Sequence, residues 1–134
     1  TTLLKRLARI LSDGSLGRAW RVGLADERNE LYVPELTAGL VDAVCGIKKA
    51  AAAQLLCRSM SPEIIICDEL TPEDTSTLSD AVNAGVCVIA SAHAGSRREL
   101  VSRPFINALL QTGAFALLIR LGASFEYEIE EYAG

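Results

Sequence analysis

The chain alternates between short unbroken apolar runs and longer stretches in which apolar residues recur with a helical period. The runs at residues 64–67 and 86–90 predict buried strands, because strands that are apolar on both faces are typical of a parallel sheet covered by helices on both sides. Residues 114–119 predict a third apolar strand, and residues 21–25 predict a shorter one. These runs are the framework around which the other elements are arranged.

The start of the chain predicts an amphipathic helix over residues 1–12. Its basic residues fall opposite an apolar face, and Asp13-Gly14 ends it. Residues 48–60 predict a second helix, because four consecutive alanines raise its helix propensity. The apolar face of the first helix consists of Leu3, Leu4, Leu7, Ile10 and Leu11.

Capping residues predict where the later helices begin. Thr71 is placed to act as an N-cap and Pro72 occupies the first helical position, so a helix is predicted from here to Asn83. Further helices are predicted after a capping box formed by Ser96 and Glu99, and over residues 104–111.

Two regions of the chain carry weaker patterns. Residues 31–33 predict a short extended piece, whereas residues 34–47 have no clear period and are predicted to be mostly loop. Near the C-terminus, Phe125, Tyr127 and Ile129 alternate with glutamates, which predicts a half-exposed antiparallel edge strand.

Strands that alternate with helices imply crossover connections and a mostly parallel sheet. We therefore predict an α/β fold in which helices flank a mostly parallel sheet and an antiparallel edge strand lies at the C-terminus. No repeat or linker divides the sequence, so residues 1–134 are predicted to form one domain.

Composition supports this fold class and excludes some functions. Half of the 134 residues are apolar and only 5% are aromatic, which favours an aliphatic α/β core over an aromatic-rich β-sandwich. A net charge of −4 and a pI of about 5.0 give no electrostatic case for nucleic-acid binding. No apolar run approaches the roughly 18 residues that span a bilayer, and no signal peptide is expected.

The four cysteines contain no CxxC pair, and the single histidine, His93, has no ligand-like neighbour in the sequence. A zinc site is therefore not expected. Reduced thiols in apolar surroundings are typical of a cytosolic protein. The cysteines are Cys45, Cys57, Cys67 and Cys87.

Candidate chemistry lies at the end of the central apolar strand, where Asp68 and Glu69 come directly after four apolar residues. Ligands bind at the carboxyl ends of the strands in open α/β sheets. The pattern is that of a Walker B strand, in which the aspartate holds Mg²⁺ and the glutamate orients the attacking water. The alternative is a structural strand that ends in solvated acids.

Three strand ends carry polar residues that would meet at one edge of the sheet. Each group alone is ordinary, since a lone histidine after a strand is usually a hydrogen-bonded loop residue. Together they predict a nucleoside triphosphate site. The residues are Asp26, Glu27 and Glu30 after the first strand, Asp68 and Glu69 after the central strand, and Ser91 and His93 after the next.

A phosphate loop is missing from this predicted site. Such a loop needs a glycine-rich turn and then Lys and Ser or Thr at the start of a helix, and no such run occurs in the sequence. Thr1-Thr2-Leu3-Leu4, at the head of an amphipathic helix, matches the residues that come after Gly-Lys in that motif. We expect this chain to start one residue past the lysine, and to bind ATP poorly and be inactive alone.

The sequence resembles the stage III sporulation protein AA family, which is similar to the hexameric ATPases of type II and type IV secretion and of pilus retraction. The matching segments are residues 21–30, 56–69 and 85–94, and Arg58-Ser59-Met60-Ser61-Pro62 is the most specific stretch. The resemblance implies a RecA-like P-loop NTPase core, with 1–134 as a partial domain.

The resemblance also implies roles for individual residues. Catalytic roles fall to Glu69, to Glu27 and Glu30 in an acidic box with Asp26, and to His93 in a His box that senses the γ-phosphate. Nucleotide-binding roles fall to Thr1, Thr2, Asp68 and Arg58, and Mg²⁺ would be held by Thr1 and Asp68.

The function implied by this resemblance is that of a Mg²⁺-dependent ATPase subunit. It would power transport or assembly between mother cell and forespore as a homo-oligomer, by resemblance a hexameric ring. Its location would be cytoplasmic, on the mother-cell side of a membrane-associated sporulation complex. Candidates for reaching a neighbouring subunit's nucleotide are Arg58, Arg97, Arg98 and Arg103.

Two alternatives remain open. The first is a catalytically inactive RecA-like scaffold that docks partners. It is favoured by Leu70-Thr71 where the family has Ile-Gly, and by Ala94 after His93 where the family has Gly. The second is a DNA-handling RecA-like domain, against which the acidic pI argues, so no nucleic-acid partner is expected.

Overall fold

The computed structural model describes residues 2–34, 36, 39–113, 115–122 and 126–131. Two compact units are present, one that ends at Ala92 and one that begins at His93. In chain order the elements are α1 (Thr2–Ser12), β1 (Val22–Asp26), β2 (Val41–Cys45), α2 (Lys49–Ser59), β3 (Ile64–Cys67), a 3-10 helix (Pro72–Asp74), α3 (Thr75–Asn83), β4 (Cys87–Ala90), α4 (Arg97–Ser102), α5 (Pro104–Gln111), β5 (Leu117–Leu121) and β6 (Tyr127–Glu131).

The first unit is built on a four-stranded parallel sheet with the strand order β2-β1-β3-β4. In register, Ala25 pairs with Cys67, and Cys67 pairs with Ala90. The carboxyl ends of β1, β3 and β4 therefore lie side by side. We call this side of the sheet the carboxyl edge.

Helices cover both faces of this sheet, and β3 is buried along its whole length. Ile64 and Ile66 belong to a core cluster that includes Leu4 and Ala8 of α1. Ile65 is packed in a second cluster with residues of α2 and α3. The α/β class and the buried central strand predicted from the sequence are confirmed.

The predicted apolar face of α1 is only partly the buried one. The residues of α1 that are buried are Leu4, Ala8 and Ser12, which recur every four positions, while Leu3 is 38% exposed. The spacing of the leucines predicted the helix correctly, but two small residues, Ala8 and Ser12, share its buried face with Leu4.

One prediction for residues 31–47 was wrong. Residues 31–33, predicted to be a short extended piece, belong to no strand of the described sheets, and the buried Leu31 packs in the core cluster around α1. The region predicted to be mostly loop contains the strand β2. Among the described strands, β2 lies at the outer side of the sheet and is paired with β1 alone, so it is not fully buried and lacks a continuous apolar run.

Local capping explains where two helices begin. Thr71 donates hydrogen bonds to Asp74 Oδ2 from its backbone N–H (2.8 Å) and its hydroxyl (3.1 Å), and this turn is a 3-10 helix that leads into α3. Ser96 Oγ accepts the Glu99 N–H (3.1 Å), as predicted, whereas the Glu99 carboxylate accepts the N–H of Gly95 (2.7 Å).

The second unit contains α4, α5 and an antiparallel pair of strands. β5 and β6 form a two-stranded sheet of their own, in which Ile119 pairs with Ile129. The predicted antiparallel strand near the C-terminus is therefore present. The third predicted apolar strand begins later than expected, at Leu117, and Ala114 and Phe125 lie outside the described residues.

None of the helices in the described part of the chain is both long enough and apolar enough to cross a membrane.

Candidate functional site

The carboxyl edge brings together polar residues from three strand ends. Asp26 ends β1, Asp68 and Glu69 come after β3, and Ser91 comes after β4. The sequence predicted that these strand ends would meet, and in the first unit they do. The contacts among them were not predictable from spacing.

Glu69 sits in an unusual backbone conformation. Its φ is +43°, in the left-handed region that non-glycine residues rarely adopt. The Glu69 N–H donates to Ser91 Oγ (3.0 Å), and the next N–H, that of Leu70, donates to the Ser91 carbonyl (2.8 Å). Ser91 therefore holds the turn at the end of the central strand.

The Glu69 side chain forms an ion pair with Arg28, which lies in the loop after β1. Both side chains are partly exposed, Arg28 by 57% and Glu69 by 33%. This pair links two of the three strand ends. Nothing in the sequence singled out Arg28.

Asp68 is only 5% exposed. Among the described residues, none donates a hydrogen bond to its carboxylate or forms an ion pair with it. The preceding residue, Cys67, is also buried, and burial raises the pKa of its thiol to about 12, so the thiol stays protonated near neutral pH. Asp68 is thus a buried side chain at this edge that no described side chain engages through a hydrogen bond or an ion pair.

Asp26 has a structural role. Its side chain is fully buried and accepts hydrogen bonds from the N–H groups of Glu30 (2.8 Å, to Oδ1) and Tyr32 (2.9 Å, to Oδ2). Its backbone carbonyl accepts the N–H of Asn29 (3.3 Å) and of Gly46 (3.0 Å). Asp26 therefore fixes the loop after β1, to which Glu27, Arg28 and Glu30 belong.

Glu27 is engaged by a buried lysine, Lys49, at the start of α2. Lys49 Nζ lies 3.0 Å from Glu27 Oε2 and 3.7 Å from Asp74 Oδ2, and its side chain is 7% exposed. Burial alone would lower the pKa of Lys49, but the hydrogen bond to Glu27 and the charge of Asp74 raise it above its usual value. The hydrogen bond from Lys49 lowers the pKa of Glu27.

Lys49 was not among the residues predicted for the site, although the sequence contains a signal for it. Lysines at positions 48 and 49 stand at the N-terminus of α2, where the helix dipole disfavours positive charge. A cation at that end requires a specific partner, and Glu27 and Asp74 supply it.

A cavity of about 300 Å³ lies beside this ion-pair cluster. It is lined by charged residues of both signs and by the turn before α3. The lining consists of Glu27, Lys48, Lys49, Ala50, Thr71, Pro72, Glu73 and Asp74.

Two further residues that were predicted for the site, Glu30 and Thr2, are exposed in the first unit. The Glu30 side chain is exposed, and Thr2 is exposed in the first turn of α1, whose far end is bonded to residues preceding β1 and β2. Because a helix of 11 residues is about 16 Å long, Thr2 lies about one helix length away from those contacts. Thr1 lies outside the described residues.

Arg58 does not join the cluster. It is exposed in the last turn of α2, near the residues that lead into the amino end of β3. Lys49, at the other end of the same helix, contacts the carboxyl-edge residue Glu27. Arg58 and the strand-end acids therefore lie at opposite ends of the sheet within one chain.

His93 is exposed and is the first residue of the second unit. In the same unit, Arg97 forms a two-pronged ion pair with Glu130 (2.7 Å for each bond), and Arg103 pairs with Glu99 (3.3 Å). Arg98 is exposed.

Comparison with solved structures shows which fold this chain shares. The fold is similar to that of the VirB11 ATPase from the type IV secretion system of Brucella suis, solved in complex with sulphate, with a TM-score of 0.63 and 18% identity over 97% of this chain. At that identity the likeness shows the fold alone. The shared fold is a parallel α/β sheet flanked by helices.

The chain belongs to the sporulation stage III protein AA family. A family model described as "Sporulation stage III, protein AA" matches residues 1–128. A curated relative, the stage III sporulation protein AA of Bacillus subtilis (strain 168), is 38% identical over 90% of this chain. The chain spans 42% of the length of that relative and 43% of the VirB11 chain.

Proposed function

We propose that this chain is the core of a Mg²⁺-dependent ATPase subunit that powers transport or assembly in a sporulation complex. The observation that carries the proposal is the pair Asp68 and Glu69 at the carboxyl edge, where a buried carboxylate precedes a glutamate in a left-handed conformation. Non-glycine residues in such conformations cost about 1–3 kcal/mol and cluster at functional sites.

Glu69 is the proposed water-orienting residue. Its carboxylate is partly exposed, so it can contact an attacking water in the crevice outside the strand ends. The Ser91 hydroxyl and carbonyl accept the N–H groups of Glu69 and Leu70, so the position of the Glu69 Cα is fixed. Glu27 and Glu30, in the neighbouring loop, would complete an acidic wall around that water.

The residues present fit a magnesium ion. The described residues contain no group of three or more His, Cys, Asp or Glu side chains that could hold a metal. Mg²⁺ in nucleotide sites does not need one, since it is bound by one or two carboxylates, by substrate phosphates and by water. Asp68 would hold the ion with Thr1, and the ion would neutralise charge on the phosphates.

The sequence contains no phosphate-loop motif for the proposed site. No Gly-Lys-[Ser/Thr] run occurs in these 134 residues. The loss of a lysine and of a backbone amide cradle removes several charge-assisted hydrogen bonds of roughly 1.5–3 kcal/mol each. The activity is therefore assigned to the full-length protein, and this chain alone would bind ATP weakly.

Assembly belongs to the same proposal. The subunits would form a ring, by analogy with secretion ATPases, on the cytoplasmic mother-cell side of a membrane-associated complex, and both units of this chain would belong to one RecA-like domain. Arg58 lies away from its own chain's strand-end acids, so it would reach a neighbour's nucleotide. Arg97, Arg98 and Arg103 are further candidates, and His93 would sense the γ-phosphate.

Nucleotide binding by the full-length protein tests this proposal. A fluorescent ATP analogue should bind more tightly with Mg²⁺ than without it, and Asp68→Asn should remove most of that difference, on the order of tenfold in affinity. Asp80→Asn alters an acid on α3, away from the strand ends, and serves as the control. Equal affinity with and without Mg²⁺ in the unsubstituted protein would contradict the proposal.

A catalytically inactive scaffold is the second candidate function. It is favoured by the engagement of Glu27 with Lys49 and of Asp26 with the loop backbone, because these carboxylates are then committed to structure. A scaffold of this kind would show no Mg²⁺-dependent nucleotide binding, so the same measurement separates the two functions.

A further inference from the structure

We propose that Ser91 and Arg28 are positioning residues that hold Glu69 in a strained, functional orientation. Ser91 fixes the backbone of the turn and Arg28 fixes the carboxylate. The inference rests on the proposed ATPase function and names two residues for which neither the resemblance nor the family comparison gives a role.

The strain at Glu69 is the first reason. Left-handed backbone costs an L-residue about 1–2 kcal/mol relative to its right-handed form, and glycine is the residue that adopts it without this cost. A glutamate at φ +43° therefore reduces stability where glycine would not. The side chain at this position must have a use that outweighs the cost.

The double contact of Ser91 is the second reason. Its hydroxyl accepts the N–H of Glu69 and its carbonyl accepts the N–H of Leu70, so one residue satisfies two successive donors of the turn. Because Ser91 comes directly after β4, and β4 is paired with β3, the anchor and the turn are fixed to the same sheet. A flip of either peptide of the turn would break the hydrogen bond that its own N–H donates to Ser91.

The support of Arg28 is the third reason. The loop that carries Arg28 is held by the fully buried Asp26 carboxylate, which accepts the N–H groups of Glu30 and Tyr32. Arg28 therefore meets Glu69 from a rigid loop. The guanidinium sets the direction in which the Glu69 carboxylate points, as a residue that orients water requires.

The strain can be measured in the chain described here, without any activity. Glu69→Gly and Glu69→Ala both remove the carboxylate, but only glycine relieves the left-handed backbone. We expect the glycine variant to have an unfolding equilibrium constant roughly fivefold smaller than that of the alanine variant. Equal stability of the two would overturn the claim of strain.

Amide hydrogen exchange tests the anchor in the same chain. Ser91→Ala should speed exchange of the Glu69 N–H by on the order of tenfold, since that N–H loses its acceptor. Ser91→Thr keeps a hydroxyl and should restore protection. Unchanged exchange in Ser91→Ala would show that the hydroxyl does not hold the turn.

Turnover by the full-length protein tests the purpose of the two contacts. Arg28→Ala and Ser91→Ala should each lower kcat roughly tenfold to a hundredfold with KM little changed, because substrate still binds but the water is misplaced. Arg28→Lys and Ser91→Thr should recover part of the loss. Arg18→Ala breaks an exposed ion pair with Glu63 at the other end of β3 and is the matched control.

The outcomes separate this inference from the proposed function. Normal kcat in Arg28→Ala and Ser91→Ala, in a protein whose unsubstituted form hydrolyses ATP, would overturn the positioning role alone. Absence of hydrolysis by the unsubstituted protein would overturn the ATPase and with it the purpose of the turn. A kcat loss that the conservative variants rescue would establish both.

Discussion

Single residues at the carboxyl edge carry two unfavourable features, a cation buried at a helix N-terminus and a glutamate with left-handed backbone. Lys49 is stabilised by Glu27 and Asp74, whereas Glu69 is held by Ser91 and Arg28. In both cases the partners come from other elements of the fold. The sequence places acids at strand ends, but the pairing of each acid depends on the tertiary contacts.

The first prediction concerns the buried lysine. Lys49→Met keeps the length of the side chain but leaves the buried Asp74 without its cationic partner, and we expect a loss of unfolding free energy on the order of 3 kcal/mol. Lys48→Met is the matched control, because Lys48 is 73% exposed and its pair with Glu73 lies in solvent, so a change within about 0.5 kcal/mol is expected. Urea denaturation measures both, and equal losses would contradict a special role for Lys49.

The second prediction concerns pH. The lowered pKa of Glu27 means that its contribution to stability is complete above its usual value of 4.5 and is lost as pH falls through the lower folded value. The raised pKa of Lys49 means that its contribution is complete below its usual value of 10.5 and is lost as pH rises through the higher folded value.

The stability difference between the unsubstituted chain and Glu27→Gln should therefore be constant in the window between these values and shrink below pH 4.5. Denaturation midpoints across pH give this difference directly. If the stability difference between the two proteins grew on acidification, the ionised Glu27 carboxylate would not stabilise the fold.

At the scale of elements, the hydrophobic pattern determined the helices and the central strands more reliably than the edges of the sheet. The unbroken apolar run at β3 correctly predicted a strand that is buried along its whole length. β4 was also predicted as a strand, but it lies at an outer side of the sheet, and its first residue, Cys87, is exposed rather than buried. The edge strand β2 was missed, because its partly exposed pattern resembles that of a loop. Which strands lie at the outer sides of the sheet depends on strand pairing. Pairing joins residues that are far apart in the sequence, so local periodicity does not predict it.

The third prediction tests the central strand. Ile65 is fully buried between the sheet and helices α2 and α3, so Ile65→Ala should lower the free energy of unfolding by roughly 2–5 kcal/mol. Leu55→Ala, at a 45% exposed position of α2, removes a side chain of the same size and should change stability by less than about 1 kcal/mol. Similar costs for both substitutions would mean that β3 is not the centre of the core.

At the scale of the whole molecule, the sequence was sufficient to predict the α/β class and the family, and both are confirmed. Site chemistry was predictable only as a set of strand-end residues. The contacts of Arg28 and Lys49 required the three-dimensional arrangement of loops and helices, because charge and spacing alone do not select partners. The chain spans 42% of its curated relative, so activity is a property to be tested in the full-length protein.

Hydrolysis of Mg²⁺-ATP by the full-length protein, measured beside the same protein carrying Glu69→Gln, decides between an ATPase and a scaffold. The substitution keeps the size of the side chain but removes the charge that orients water. We expect turnover in the unsubstituted protein and a loss of at least roughly a hundredfold in kcat in the variant. Equal turnover in the two proteins would contradict the role of Glu69, and no turnover in either would favour the scaffold.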